Sequence, residues 1–167
     1  RRDDLDDLHA MLSDPEHMRW YPAPFDREAA TAWLERTLES YETRGFGLLI
    51  IEDRVTGEFL GTAGPTLQVV EGEDHVEIGW HTRPRRKGEG IAPEAASAAR
   101  DWAFANLDVD HLIALVRPEN AASARAEANA TNRKAQVRIR ARWCSRRAAG
   151  RAAKPHEAGG GQACVAL

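Results

Sequence analysis

HVEIGWHTRPRRKGEGIAPEAASAARDWAFAN, residues 75–106, is the stretch on which the reading of this 167-residue chain turns. Its first residues alternate, with Val76, Ile78 and Trp80 on one face, which is the period of a half-buried strand. Pro84 has no N–H for a ladder and stops that strand inside a basic, glycine-bearing segment, Arg83-Pro84-Arg85-Arg86-Lys87-Gly88-Glu89-Gly90. After Gly90 the text turns helical: Ile91, Ala95, Ala98, Ala99, Trp102 and Phe104 fall near helical spacing, and Pro93 and Glu94 suit a first turn. A strand, a Gly-rich basic loop and a helix N-terminus together make an anion site, because unpaired N–H groups and the positive end of the helix dipole share one concavity. Glycines at 88 and 90 let that backbone close on a phosphate with no Cβ in the way. Arg83, Arg85, Arg86 and Lys87 add charge for a polyanionic ligand. The plain alternative is a solvated basic turn ahead of a surface helix.

The spelling favours the ligand site. Arg85-x-x-Gly88-x-Gly90-x-Ala92 resembles the acyl-CoA pyrophosphate signature of the GNAT N-acetyltransferases, R/Q-x-x-G-x-G/A, and stands between a strand and a long helix, as in that family. It lacks the third glycine of a dinucleotide fingerprint and the G-K-[ST] of a P-loop. Pro118-Glu119-Asn120-Ala121-Ala122-Ser123 resembles a second family signature, P-E-N-x-x-S. The wording around both motifs, with Asp14-Pro15-Glu16 and Arg19-Trp20, is most similar to the ribosomal-protein N-acetyltransferase branch. The resemblance implies an α+β GNAT acyl-CoA N-acyltransferase fold, with a mixed, mostly antiparallel central sheet flanked by helices.

The rest of the chain reads in the same order. Residues 3–13 place Leu5, Leu8, Met11 and Leu12 on one helical face behind an acidic first turn, and Asp14-Pro15 ends that helix. Residues 19–25, aromatic and proline-punctuated, form a loop that reads as core cover ahead of a groove wall. A helix from Asp26, its N-cap, runs to about Thr43 with Ala30, Trp33, Leu34, Thr37, Leu38 and Tyr41 as its stripe. Phe46 to Glu52 is a near-continuous apolar run, expected for a strand covered on both faces. A turn at 53–57 leads to a strand at 58–63, which Gly64-Pro65 breaks before it continues at 66–70, and residues 71–74 turn into the central stretch. His111 to Val116 is a further buried strand, after which the Asn-bearing helix begins.

A single domain accounts for the length, with residues 1–123 family-like and 124–167 a different, Ala- and Arg-rich text. Residues 1–127 hold 14 basic and 25 acidic groups, whereas 128–167 hold 9 and 1. This flip, with the loss of helical pattern at the same place, reads as a shifted reading frame in a GC-rich gene. Against that, residues 136–143 alternate cleanly and are a candidate sixth strand, with 163–167 a seventh. No run of about 18 apolar residues marks a membrane span, and no signal peptide is visible. Cys144 and Cys164 lack metal spacing, so a cytoplasmic chain without a disulfide framework or metal is expected.

What the resemblance implies about the site is specific. Acetyl-CoA is the implied co-substrate, its pantetheine arm lying between the strand ending at Trp80-His81-Thr82 and the one at 111–116. Residues 85–90 (Arg85, Arg86, Lys87, Gly88, Glu89, Gly90) and the start of the following helix would cradle the pyrophosphate, and Asn120 and Ser123 would meet the thiol end. An amine attacks the thioester directly and needs a proton acceptor. Glu77 ranks slightly above His81 for that role: in isolation Glu77 reads as a solvent-facing strand carboxylate, and His81 as a near-neutral relay or an exposed turn residue. Tyr21 and Tyr41 are both far upstream, so the acid role is vacant or falls to Ser123. The acceptor is a protein N-terminus or a small-molecule amine, with the acidic balance of residues 1–127 favouring a cationic one. A homodimer is compatible with the sequence. The rival readings are a CoA-binding remnant without turnover and, less favoured because Trp143 alone could stack on bases, a nucleic-acid-binding basic tail.

Overall fold

Asp26 Oδ1 accepts a hydrogen bond from Ala29 N at 2.8 Å and so starts the helix that covers one face of the sheet. This computed structural model describes residues 1–117, 119–129, 138–140 and 163–166. A short 3-10 turn at Arg2–Asp4 leads into α1 (Leu5–Leu12), and α2 spans Arg27–Arg44 up to Gly45, whose φ of +80° closes it. Then come β1 (Leu49–Glu52), β2 (Phe59–Val70), β3 (Glu73–Thr82), a 3-10 turn at Pro84–Arg86, α3 (Ile91–Asn106), β4 (Ile113–Val116) and α4 (Ala121–Asn129). Two short strands, β5 (Arg138–Arg140) and β6 (Ala163–Ala166), complete a sheet of order β5-β1-β2-β3-β4-β6. Every neighbouring pair is antiparallel except β3 and β4, which the α3 crossover makes parallel. The expected α+β architecture with a mixed sheet is the one observed. No helix of the described residues is long and apolar enough to cross a membrane.

Two layers cover the sheet. On one side Ile78 packs with Ala96, Ala99, Ala103 and Leu112, and Val76 and Trp80 join them, as the alternation of β3 predicts. On the other, Leu8, Met11 and Leu12 of α1 meet Leu34 of α2, Met18 and Phe59. The stripe on α3 differs from the expected one: Phe104 is exposed and Ala98 half-buried, and Ala96 and Ala103 take their places. Small residues on that face let the helix lie close on the sheet, and a Phe does not fit there.

Three strand expectations are corrected. The first strand begins at Leu49, not Phe46, because α2 has claimed the earlier carbonyls: Ser40 Oγ donates to Phe46 O at 2.8 Å, and Tyr41 OH reaches Gly47 O and Leu48 O. Of β1 only Ile51 is buried, so it is not covered on both faces. Gly64-Pro65 does not break β2, which runs through it unbroken. The turn closing β2 and β3 is Glu71-Gly72, both at positive φ, with Val70 opposite Glu73. Counting by twos from that closing pair puts Pro65, opposite Ile78, at a non-hydrogen-bonded position, so its missing N–H points beyond the end of β1 and costs no ladder bond. The last strand before the Asn-bearing helix is shorter than expected, Ile113–Val116. In the C-terminal segment, Arg138–Arg140 pairs with β1 and Ala163–Ala166 with β4; the remaining residues of 136–143, Leu167 and Cys144 lie outside the described residues.

Candidate active site

Where β3 and β4 part, a groove of about 910 Å³ opens. Both strands run on past Glu77 and Ile113, yet among the described residues these two are the only register pair between them. The same count by twos shows which backbone faces the gap. His81 pairs with Thr62 in the ladder, whereas the N–H and C=O groups of Trp80 and Thr82 point toward β4. The His81 main chain is therefore spent on β2, and only its side chain reaches the groove.

Glu77 fills the mouth of the gap. Its Oε2 accepts from Gln68 Nε2 at 2.8 Å and Thr66 Oγ1 at 3.2 Å, and its Oε1 accepts from Leu115 N at 3.2 Å, an N–H that a closed sheet would have bonded to β3. This is not the solvent-facing carboxylate of the isolated reading. Burial pushes its pKa up, and the three donors pull it partly back.

His81 stands in a cluster of rings. Its Nε2 is 3.4 Å from Tyr21 OH, its Nδ1 is 3.4 Å from His17 Nε2, and Trp33 meets it edge-on at 6.3 Å. Burial first, and the neighbouring His17 second, push its pKa down to about 3. The expected near-neutral imidazole is thus a neutral, weakly basic one. His17 is lowered as well, by burial and then by the charge of Lys87.

Tyr21, set aside on the sequence because it lies far upstream, is brought to the groove by the 19–25 loop. That loop is a groove wall as well as cover: Trp20 and Tyr21 line the groove, while Phe25 both lines it and packs on the α1–α2 core. Arg117 Nε donates to Trp20 O at 2.7 Å and ties the loop to the end of β4. Burial, with Glu77 nearby, raises the Tyr21 phenol to about 12, Arg117 opposing. No local signal in the sequence announces this contact, which spans 60 positions.

At the other end lies the N-terminus of α3. Gly88 and Gly90 hold φ of +87° and +83°, with nothing within 4 Å of where a Cβ would stand, so the backbone entering α3 borders open space. Gly88, Gly90, Arg86 and Lys87 line the groove; exposed Arg85 and Glu89 do not. Arg86 is held by Glu58 at 2.6 Å and by Glu89 at 2.8 Å, and Lys87 reaches Glu16 at 3.3 Å. Asn120 and Ser123 also line the groove. Asn120 Oδ1 caps α4 by accepting from Ser123 N at 3.2 Å, which leaves its amide NH₂ as a donor.

The family profile described as "Acetyltransferase (GNAT) domain" matches residues 1–130. The Bacillus subtilis (strain 168) protein described as "Uncharacterized protein YkkB" is 35% identical over 115 residues, 69% of this chain and 67% of its own length, so this chain spans about two thirds of that relative. Among solved structures, an acetyltransferase from Agrobacterium tumefaciens str. C58 superposes with a TM-score of 0.67 at 29% identity, over 77% of this chain and 73% of that one. A ribosomal-protein-serine acetyltransferase structure from Vibrio cholerae gives 0.61 at 15% identity, over 78% and 74%, a likeness of fold alone.

Proposed function

The chain belongs to the acetyltransferase (GNAT) family, and on that premise we propose that it moves an acetyl group from acetyl-CoA to a primary amine. The observation that carries this reading is the gap between β3 and β4, lined by the Trp80 and Thr82 main chains and leading to the glycine-bearing N-terminus of α3. The residues fit the ligand. Gly88 and Gly90 leave room where a Cβ would stand, and Lys87 and Arg86 supply cations beside the orphan N–H groups, so these would hold the pyrophosphate. The backbone of Trp80 and Thr82 would take the extended arm, with the Asn120 amide and Ser123 hydroxyl at its thiol end. When bound, acetyl-CoA supplies the activated acyl carbon.

The chain's own groups then handle protons. Glu77 is the base of this reading: its carboxylate lies at the gap, and its raised pKa brings its basicity nearer to that of an amine. Tyr21 stays protonated across the physiological range and lines the groove, so its phenol joins the Ser123 hydroxyl as a proton donor of this reading. His81 holds the Tyr21 hydroxyl in place and is the weaker candidate for base.

Calorimetric titration with acetyl-CoA tests the proposal, run beside a Lys87→Ala/Gly88→Ala variant whose fold is checked by circular dichroism. Micromolar binding that weakens about tenfold or more in the variant is expected, since a charge-assisted contact and the left-handed turn are lost together. A folded wild-type protein that takes up no acetyl-CoA overturns it.

A further inference from the structure

The acidic excess of residues 1–127 does not reach the groove. Among the described residues its walls carry Arg86 and Lys87, the cations assigned above to the pyrophosphate, and beyond them Arg19, Arg117 and Arg125 against two carboxylates, Glu16 and Glu77. Both carboxylates are engaged. Glu77 accepts from three donors, and Glu16 lies 3.3 Å from Lys87 and 3.8 Å from Arg19. A polycation held by one reacting amine would bring further ammonium groups to walls that offer no uncommitted carboxylate and repel them. The overall acidic charge from which a cationic acceptor is expected is therefore not repeated on the groove walls.

The walls offer two things instead. Tyr21 and Trp33 present aromatic surface beside His81, and Trp20 and Phe25 line the same groove; burial holds His81 neutral and lowers His17 as well. Arg117 stands at the end of β4 and lines the groove. Its Nε is bonded to Trp20 O, and the described residues give its two Nη groups no acceptor. It is close enough to Tyr21 to pull that phenol downward. A groove-lining guanidinium fixed through Nε keeps two terminal amines that can match the two oxygens of a carboxylate.

We infer that the acceptor is a monoamine with an aromatic body and a carboxylate, as a free aromatic amino acid presents, with Arg117 as the carboxylate's anchor. This rests on the acetyltransferase reading above. In the transfer, one ammonium proton passes to Glu77 and frees the nitrogen lone pair, the nitrogen forms the new C–N bond as the C–S bond of the thioester breaks, the thiolate takes the Tyr21 proton, and the second proton lost from nitrogen restores the Tyr21 phenol. The amino acid leaves as its N-acetyl derivative, with its charge changed from zwitterion to anion.

Release of free thiol from acetyl-CoA is measured with L-phenylalanine, phenethylamine and spermidine as acceptors, for the wild type and Arg117→Gln. Phenylalanine is expected to exceed phenethylamine about tenfold or more in kcat/KM, mostly through KM, with spermidine poorest. Arg117→Gln is expected to bring the phenylalanine-to-phenethylamine ratio close to one. A merely structural role, the tie to Trp20, would lower both amines together and leave the ratio intact, and that result overturns the inference. Spermidine as best acceptor overturns it too, as does failure to acetylate phenylalanine by a protein that binds acetyl-CoA. Failure to bind acetyl-CoA instead removes the proposed function itself, and the calorimetric experiment tells the two cases apart.

Discussion

Glu77 joins a structural role to the base role proposed for it. It accepts the Leu115 N–H that the splayed strands leave over, so it stabilises the gap, and the same carboxylate faces the groove. Glu77→Gln keeps the size, removes the proton acceptor and sets an amide beside donors. Its kcat is expected to fall about 10²- to 10⁴-fold. Because burial raises the Glu77 pKa, wild-type kcat/KM rises with pH above the ordinary carboxylate range as the group ionises, and this limb disappears in the variant. A pH–rate profile unchanged in shape would remove Glu77 from the base role. Glu77, Asn120 and Gly88, which the sequence singles out, all line the groove, and each belongs to a local pattern: strand alternation, a helix start, a Gly-rich turn. Tyr21 and Arg117 belong to no such pattern, and their place follows from a loop folding back across the sheet.

At the level of elements, the signals that survive are those satisfied locally. The Asp26 cap needs only the N–H three residues on, and α2 starts where the sequence puts it. Asp26→Ala is expected to cost about 1 kcal/mol and to lower the melting temperature by a few degrees with acetyl-CoA affinity unchanged, measured by thermal unfolding and titration. A loss of several times that size would mean that the cap also holds the α1–α2 pair. The strand boundaries depend on contacts that lie outside the strands themselves. Whether Phe46 to Leu48 joins a sheet depends on whether Ser40 and Tyr41 take its carbonyls, and whether Pro65 interrupts a strand depends on pairing parity set by the Glu71-Gly72 turn. Hydrophobic patterning is blind to both. The C-terminal segment, unlike the family in text, still sends Arg138–Arg140 and Ala163–Ala166 to the two edges of the sheet, which covers exposed N–H and C=O rows.

For the molecule as a whole, the rings wedged between the α1–α2 layer and the sheet make stability depend on pH. His81 has a folded pKa of about 3 against its ordinary 6.5, so its contribution is present above about 6.5 and is lost as pH falls toward 3. Glu77 acts with the opposite sign: its folded pKa is raised above 4.5, so its contribution is present at low pH and lost as pH rises through the folded value. Thermal unfolding at pH 7 and pH 5 should show His81→Gln losing less melting temperature than the wild type, with the depressed His17 keeping some slope in place. An equal loss in both proteins would show that His81 is not the sensor. The sequence by itself determined the order of helices and strands, the crossover helix and the glycine-bearing turn before it, because periodicity, capping and glycine freedom act over a few residues. Only the tertiary structure decided the charge and lining of the groove. That property belongs to side chains drawn from β2, β3, β4 and the 19–25 loop, and a net charge summed along the chain carries no record of which charges face inward.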